Sequence, residues 1–76
     1  MGTTDLNEFY GVTVRPAEKQ GREYVAKGEI FRRDDFRTVE IVSGTGAARS
    51  SAERRAVQEA RMWVAGSGEP EDWKKG

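Results

Sequence analysis

The sequence predicts an α+β domain: a three-stranded antiparallel β-meander with one C-terminal α-helix packed on one face (β-β-β-α). Three observations lead there. Apolar and polar residues alternate with period two in three separate stretches between Glu8 and Val42. Short turns separate these stretches and leave no room for crossover helices, so neighbouring strands run antiparallel. Apolar residues then recur at helical spacing from Ala52 to Val64.

Taken in order, residues 1–7 are polar and read as a flexible N-terminal segment outside the fold. "EFYGVTVR" (8–15) sets Tyr10, Val12 and Val14 on one side of a first strand and Phe9, Gly11, Thr13 and Arg15 on the other. "PAEKQG" (16–21) is a turn, because Pro16 fixes its own φ and Gly21 tolerates a positive one. "REYVAKGEIFRR" (22–33) is a long second strand. Tyr24, Ala26, Gly28 and Ile30 share one face, and Val25, Lys27, Glu29 and Phe31 share the other. Asp34-Asp35 makes a short turn into "FRTVEIV" (36–42), a third strand with Val39 and Ile41 opposite Thr38 and Glu40.

The helix carries its own start signal. Ser50-Ser51-Ala52-Glu53 fits the S-x-x-E capping box. Ala52, Ala56, Val57, Ala60, Trp63 and Val64 then form one face, and Gly66 ends the helix. The small residues predict a close approach: Ala52, Ala56 and Ala60 lie against Ala26 and Gly28, with Trp63 and Tyr24 filling the ends. The single domain is thus expected over residues 8–66, followed by a polar tail, 67–76, whose one apolar anchor is Trp73.

Composition narrows the function classes. The 76 residues make one domain and leave no room for a deep cleft between lobes. There is no cysteine and no histidine, which removes disulfides, thiolate metal sites, cysteine nucleophiles and imidazole acid–base chemistry. Asp34-Asp35 is a carboxylate pair on a turn, with nothing apolar beside it to raise a pKa for acid–base work. No catalytic residue, cofactor or metal is therefore expected. Thirteen basic and thirteen acidic residues balance to zero net charge, whereas dedicated nucleic-acid binders are usually basic. No apolar run approaches the ~20 residues of a membrane span, and the N-terminus lacks the pattern of a secretion signal. A cytoplasmic protein without membrane contact is expected.

"SGTGAARSS" (43–51) has the order of a nucleotide-binding element: a β-branched run, glycines, then a helix N-terminus. No lysine follows the glycines, Arg49 stands where a dinucleotide fingerprint has its third glycine, and no parallel strand comes after the helix. The stretch is expected to be a mobile hinge between sheet and helix, with at most one weakly held anion at Arg49, Ser50 and Ser51.

Two further surfaces are candidates. If the helix covers one face of the sheet, Thr13, Arg15, Lys27, Glu29, Thr38 and Glu40 lie on the open face. There, cross-strand Lys–Glu pairing accounts for them without a ligand. Phe9, Val25 and Phe31 share the parity of that face. They form either a partner patch or a patch covered by a chain terminus, Trp73 included. The remaining arginines alternate with acids along the chain, the pattern of a solvated face with local ion pairs.

"YGVTVRP" (10–16), "YVAKGEI" (24–30) and the alanine-rich "AERRAVQEARMWV" (52–64) give the chain two resemblances. The order β-β-β-α resembles small bacterial domains of uncharacterised function, which have a tyrosine-rich first strand and an alanine-rich C-terminal helix. That likeness implies no activity. The same order resembles AP2-type DNA-binding domains and the related N-terminal arm-binding domains of phage integrases. In those the sheet enters the major groove, and this likeness implies open-face contacts from Arg15, Lys27, Glu29, Arg33 and Arg37. Strand tryptophans of that family have no counterpart here, and the net charge is zero rather than basic. The expectation is a non-enzymatic interaction module that binds a protein partner, or a second copy as a homodimer, through the open sheet face or a strand edge. The alternative is a DNA- or RNA-binding module using Arg15, Lys27, Arg33 and Arg37.

Overall fold

The computed structural model describes residues 2–68 and residue 70. These form five strands and one helix: β1 (Gly2–Asp5), β2 (Tyr10–Val14), β3 (Glu18–Gln20), β4 (Glu23–Arg32), β5 (Thr38–Gly46) and α1 (Arg49–Ser67). All strands join one antiparallel sheet in which β4 is the hub. β2 and β3 pair along one side of β4 and β5 along the other, while β1 pairs the outer side of β2. The fold class is thus α+β, with five strands rather than three.

The two extra strands have separate causes. β1 comes from the segment expected to lie free: Thr3 and Thr4 pair Thr13 and Val12, and the Thr3 and Thr13 hydroxyls meet at 3.2 Å. Threonines suit a half-exposed pleated surface, and the chain between them and β2 is short enough to fold back as a hairpin. Asn7 fixes that return, its Oδ1 accepting the N–H groups of Phe9 and Tyr10 at 2.8 Å each. β3 lies within the expected turn "PAEKQG". From Val14 to Glu18 the chain advances four residues, while its partner strand advances only three, from Gly28 to Val25. β2 and β3 are therefore one strand interrupted by a bulge at Pro16, a residue with no N–H to give to a ladder. The true turn is Gly21-Arg22, with Gly21 at φ 65°.

The helix lies on the expected face. Ala52, Ala56 and Ala60 are fully buried, Val64 nearly so, and they close over Val12, Val14, Ala26 and Ile30. Tyr10 and Trp63 meet edge to face at one end, 5.3 Å between centroids. At the other end the Arg49 guanidinium lies 5.7 Å from the centre of the Tyr24 ring.

The helix ends differ from the expectation. α1 starts two residues earlier than the Ser50 capping box implies, with Ala48 as the N-cap. The Ser51 hydroxyl accepts the Ala48 N–H at 3.1 Å and donates to the Ala48 carbonyl at 2.9 Å. Glu53 does not complete a capping box. Its carboxylate accepts the N–H of buried Ala17 at 3.1 Å, satisfying a donor that the bulge takes out of the ladder. Gly66 does not end the helix, which runs to Ser67; the glycine with positive φ is Gly68, at φ 69° and ψ −161°.

The largest correction concerns "SGTGAARSS". Ser43 to Gly46 is not a hinge but the last part of β5, paired residue by residue with Lys27 back to Tyr24. A methyl group built on Gly44 would lie 2.6 Å from the Ala52 carbonyl oxygen and 2.7 Å from the Arg55 carbonyl carbon. One on Gly46 would lie 2.8 Å from the Ala52 nitrogen. The glycines let helix backbone rest on strand backbone; their role is close approach, not freedom of rotation. The parity of β5 is also the reverse of the expected one. Val42, Gly44 and Gly46 face the helix, whereas Ile41 pairs Glu29 on the open face. Val39 is the extra residue where the register shifts between Ile30 and Phe31.

Candidate interaction surface

Phe9, Val25 and Phe31 do not form one exposed patch. Phe9 packs, half-buried, against the helix-side core. Phe31 is only 8% exposed, because its ring lies over Gly11 on one side and stacks on Phe36 on the other, 5.8 Å between centroids. Val25 lies six residues along the same strand from Phe31, roughly 20 Å at the rise of an extended chain. The expected cover by Trp73 and the tail falls outside the described residues. What the open side does expose is Phe36 at 74%, Ile41 at 58% and Val39 at 37%, all from the β4–β5 hairpin. Phe36 takes a positive φ of 60° at the turn, which lays its ring back over Phe31.

The open-face bases are largely neutralised. Arg15 pairs with Glu29, Arg33 with Asp5 at 3.5 Å and Arg37 with Asp35 at 3.8 Å. Arg33 also donates to the Asn7 carbonyl at 2.8 Å. Lys27 is the one member of that set with no ion pair among the described residues. The expected Lys–Glu pairing is replaced by Arg15–Glu29. Glu40 is not on this face at all, since it pairs with Ile30 on the helix side. Arg32, buried, makes a two-pronged contact with Asp34, Nε to Oδ1 at 3.0 Å and Nη2 to Oδ2. Those bonds hold the Asp34 carboxyl below its ordinary value.

On the helix the outcome is the opposite. Arg49, Arg54, Arg55 and Arg61 make no ion pair among the described residues, although Glu53 and Glu59 lie between them in sequence. Glu53 is directed to Ala17 instead. Nor do Arg49, Ser50 and Ser51 converge on one point. Arg49 lies over Tyr24, Ser51 is engaged with Ala48, and Ser50 lines a recess of about 410 Å³ beside Gly2, Thr4 and Glu53. Among the described residues no group of three or more acidic side chains is placed to hold a metal. No helix there is long and apolar enough to cross a membrane.

The sequence reading names a strand edge without saying which strand supplies it; the structure gives β5 a free edge among the described residues. Eight of its nine residues pair with β4 on one side, and among the described residues no strand pairs on the other. Two observations fix which backbone groups point off the sheet. The Lys27 carbonyl accepts the Arg15 N–H at 2.8 Å, so the backbone of Lys27 serves the β2 side and its β5 partner, Ser43, points away. The Ile41 N–H is likewise off the ladder; it donates at 2.9 Å to Oε1 of the neighbouring Glu40 side chain. Ile41, Ser43 and Thr45 therefore present their N–H and C=O groups outward. β5 itself carries neither proline nor lysine, two of the usual protections of an edge strand. Its signal in the sequence was the long β-branched run into glycines.

The described residues define a small β-rich α+β domain with one helix and a long strand, β5, paired along one edge only. Compared with known protein families, curated proteins and solved structures, the chain matches none of them.

Proposed function

We propose that the protein is a non-enzymatic interaction module that accepts an extended strand along the free edge of β5. The observation that carries the reading is the row of outward backbone groups at Ile41, Ser43 and Thr45, in which the Ile41 N–H is held only by the flexible Glu40 side chain. Strand addition draws affinity from main-chain bonds and specificity from alternating side chains. Val39 and Ile41, exposed on this strand, supply apolar contacts beside the edge.

The nucleic-acid reading, through Arg15, Lys27, Arg33 and Arg37, is the weaker one. Three of those four already serve ion pairs within the domain, so few free charges remain to displace counterions from phosphate.

A synthetic peptide with the sequence of residues 38–46 is a suitable probe, because it presents a strand of matching length and pattern. Amide spectra recorded during titration should shift along β5. Exchange with solvent should slow at Ile41, Ser43 and Thr45 and stay unchanged at the inward amide of Val42. Ser43→Pro removes one outward N–H and leaves the β4 ladder intact, so it should abolish the response in a folded protein. Shifts confined to other surfaces, or none at millimolar peptide, refute the reading.

A further inference from the structure

Edge pairing of this strand with itself depends on where Glu40 falls. Two antiparallel copies can only pair so that the sum of facing residue numbers is constant, and outward groups must meet outward groups. Centring the two-fold axis on Glu40 sets two carboxylates face to face, which is unfavourable. Centring it on Ile41 sets Glu40 against Val42. Centring it on Ser43 sets Glu40 against Gly46, and centring it on Val42 sets Glu40 of each copy against Gly44 of the other; both positions lack a side chain, and Gly44 is the one that lies against Arg55. With the axis on Val42, Ile41 faces Ser43 of the second copy, and both present their backbone groups outward.

What lies above Gly44 matters most. The α1 backbone rests directly on that glycine at Ala52, Arg55 and Ala56. Arg55 is exposed, has no ion pair among the described residues, and lines a recess with Thr45, Ser51 and Gln58 beside the β5 edge. A carboxylate arriving opposite Gly44 comes within reach of the Arg55 side chain that starts there, and the two-fold axis makes the contact twice.

We infer that the strand accepted by β5 is β5 of a second copy, in an antiparallel homodimer centred on Val42, where Glu40 of each copy pairs with Arg55 of the other. This rests on the edge reading above and names its partner. Glu40 then changes roles. In the single chain its carboxylate caps the Ile41 N–H. In the pair, the Ser43 carbonyl of the second copy accepts that N–H, and the freed carboxylate turns to Arg55 of the second copy. The same side chain protects the edge of the lone domain and sets the register of the dimer.

Sedimentation equilibrium of the full chain from micromolar to millimolar concentration should show the mass rising from 8.5 kDa toward twice that value. Glu40→Arg and Arg55→Glu each create two like-charge contacts and should weaken association about tenfold or more. The double variant restores opposite charges in reversed order and should recover most of the loss. Both positions are exposed, and melting curves will show whether each variant is folded. A chain that stays at 8.5 kDa throughout overturns the second-copy inference, while binding of the strand peptide would leave the edge reading intact. A dimer indifferent to both single reversals, or one that the double variant does not recover, overturns the register.

Discussion

Gly44→Ala tests the contact on which the whole layer arrangement depends. The added methyl meets no flexible side chain; it meets helix backbone at Ala52, Arg55 and Ala56, with the Ala52 oxygen at 2.6 Å and the Arg55 carbonyl carbon at 2.7 Å. Ordinary carbon contacts lie at about 3.5–4.0 Å, so α1 must lift from β5 by roughly 1 Å. Lifting loosens the contacts of Ala52 and Ala56, both fully buried, with Val42 and Gly28 beneath. Overpacking in a core costs about 1–3 kcal/mol, and a clash with backbone belongs at the upper end, ~3 kcal/mol. A domain of this size holds only about 4–11 kcal/mol in total, so the loss is a large fraction of its stability. At about 4–8 °C per kcal/mol the melting temperature should fall by roughly 12–24 °C. Circular dichroism at the helix band, followed through thermal unfolding, measures it. A Gly44→Ala variant within about 0.5 kcal/mol of the parent, the scatter typical of a harmless surface change, would refute the close approach of helix and strand.

The remaining predictions use other parts of the same structure. Gly66 lies inside α1 with nothing within 4 Å of a built methyl, so Gly66→Ala should stabilise by about 0.5–1 kcal/mol and raise the melting temperature; an unchanged or lower value would mean the helix ends before it. Trp63 is half-buried and meets Tyr10 edge to face, so Trp63→Ala should cost about 2–3 kcal/mol in urea unfolding, less than a fully enclosed tryptophan; a loss under 1 kcal/mol would contradict that packing. The Asp34 carboxyl is held below its ordinary value, chiefly by hydrogen bonds from Arg32. Its contribution is therefore present above the unfolded carboxylate pKa of 3.8 and disappears as pH falls through the lower folded value. Asp34→Asn should narrow its stability gap to the parent over that acid range, and a gap that persists through it would show that the pair does not titrate with folding.

How much of this was legible in the sequence depended on what marked each residue's face. α1 was legible because its buried side carries Ala52, Ala56, Ala60 and Val64 at regular spacing. The helix-facing side of β4 was legible from Ala26, Gly28 and Ile30, although two of those three are small. β5 was misread for a physical reason. Its buried face ends in Gly44 and Gly46, which must lack side chains for the helix to rest there, so the most enclosed positions carry no hydrophobic signal. The visible pair, Val39 and Ile41, belongs to a bulge and to the open face. The same glycines suggested a phosphate loop or a hinge, since close approach and rotational freedom call for the same residue. β1 and β3 were hidden differently. Neither buries an apolar face, and β3 continues β2 past a bulge at a proline that otherwise marks a turn.

The charge pattern was legible as a composition and not as a map. Acids and bases interleave along the chain, so pairing with sequence neighbours was the natural expectation. The fold pairs by register instead: Arg15 reaches Glu29 across the sheet, Arg33 reaches Asp5 on the returning N-terminal strand, and Glu53 leaves the helical arginines for a backbone N–H at the bulge. Zero net charge therefore conceals a division. The open sheet face uses most of its charges internally, while the helix leaves Arg54, Arg55 and Arg61 without an ion pair among the described residues and β5 keeps Glu40 on its own neighbour's N–H. Arg55, whose backbone lies against Gly44 and whose side chain has no ion pair among the described residues, and Glu40, four residues along the same edge, are of opposite sign, and they are offset by the interval that a two-fold axis at Val42 brings together. The glycine that hid the buried face of β5 is thus also the gap into which a facing side chain fits, so the close packing of the monomer and the proposed register of the pair depend on the same missing methyl.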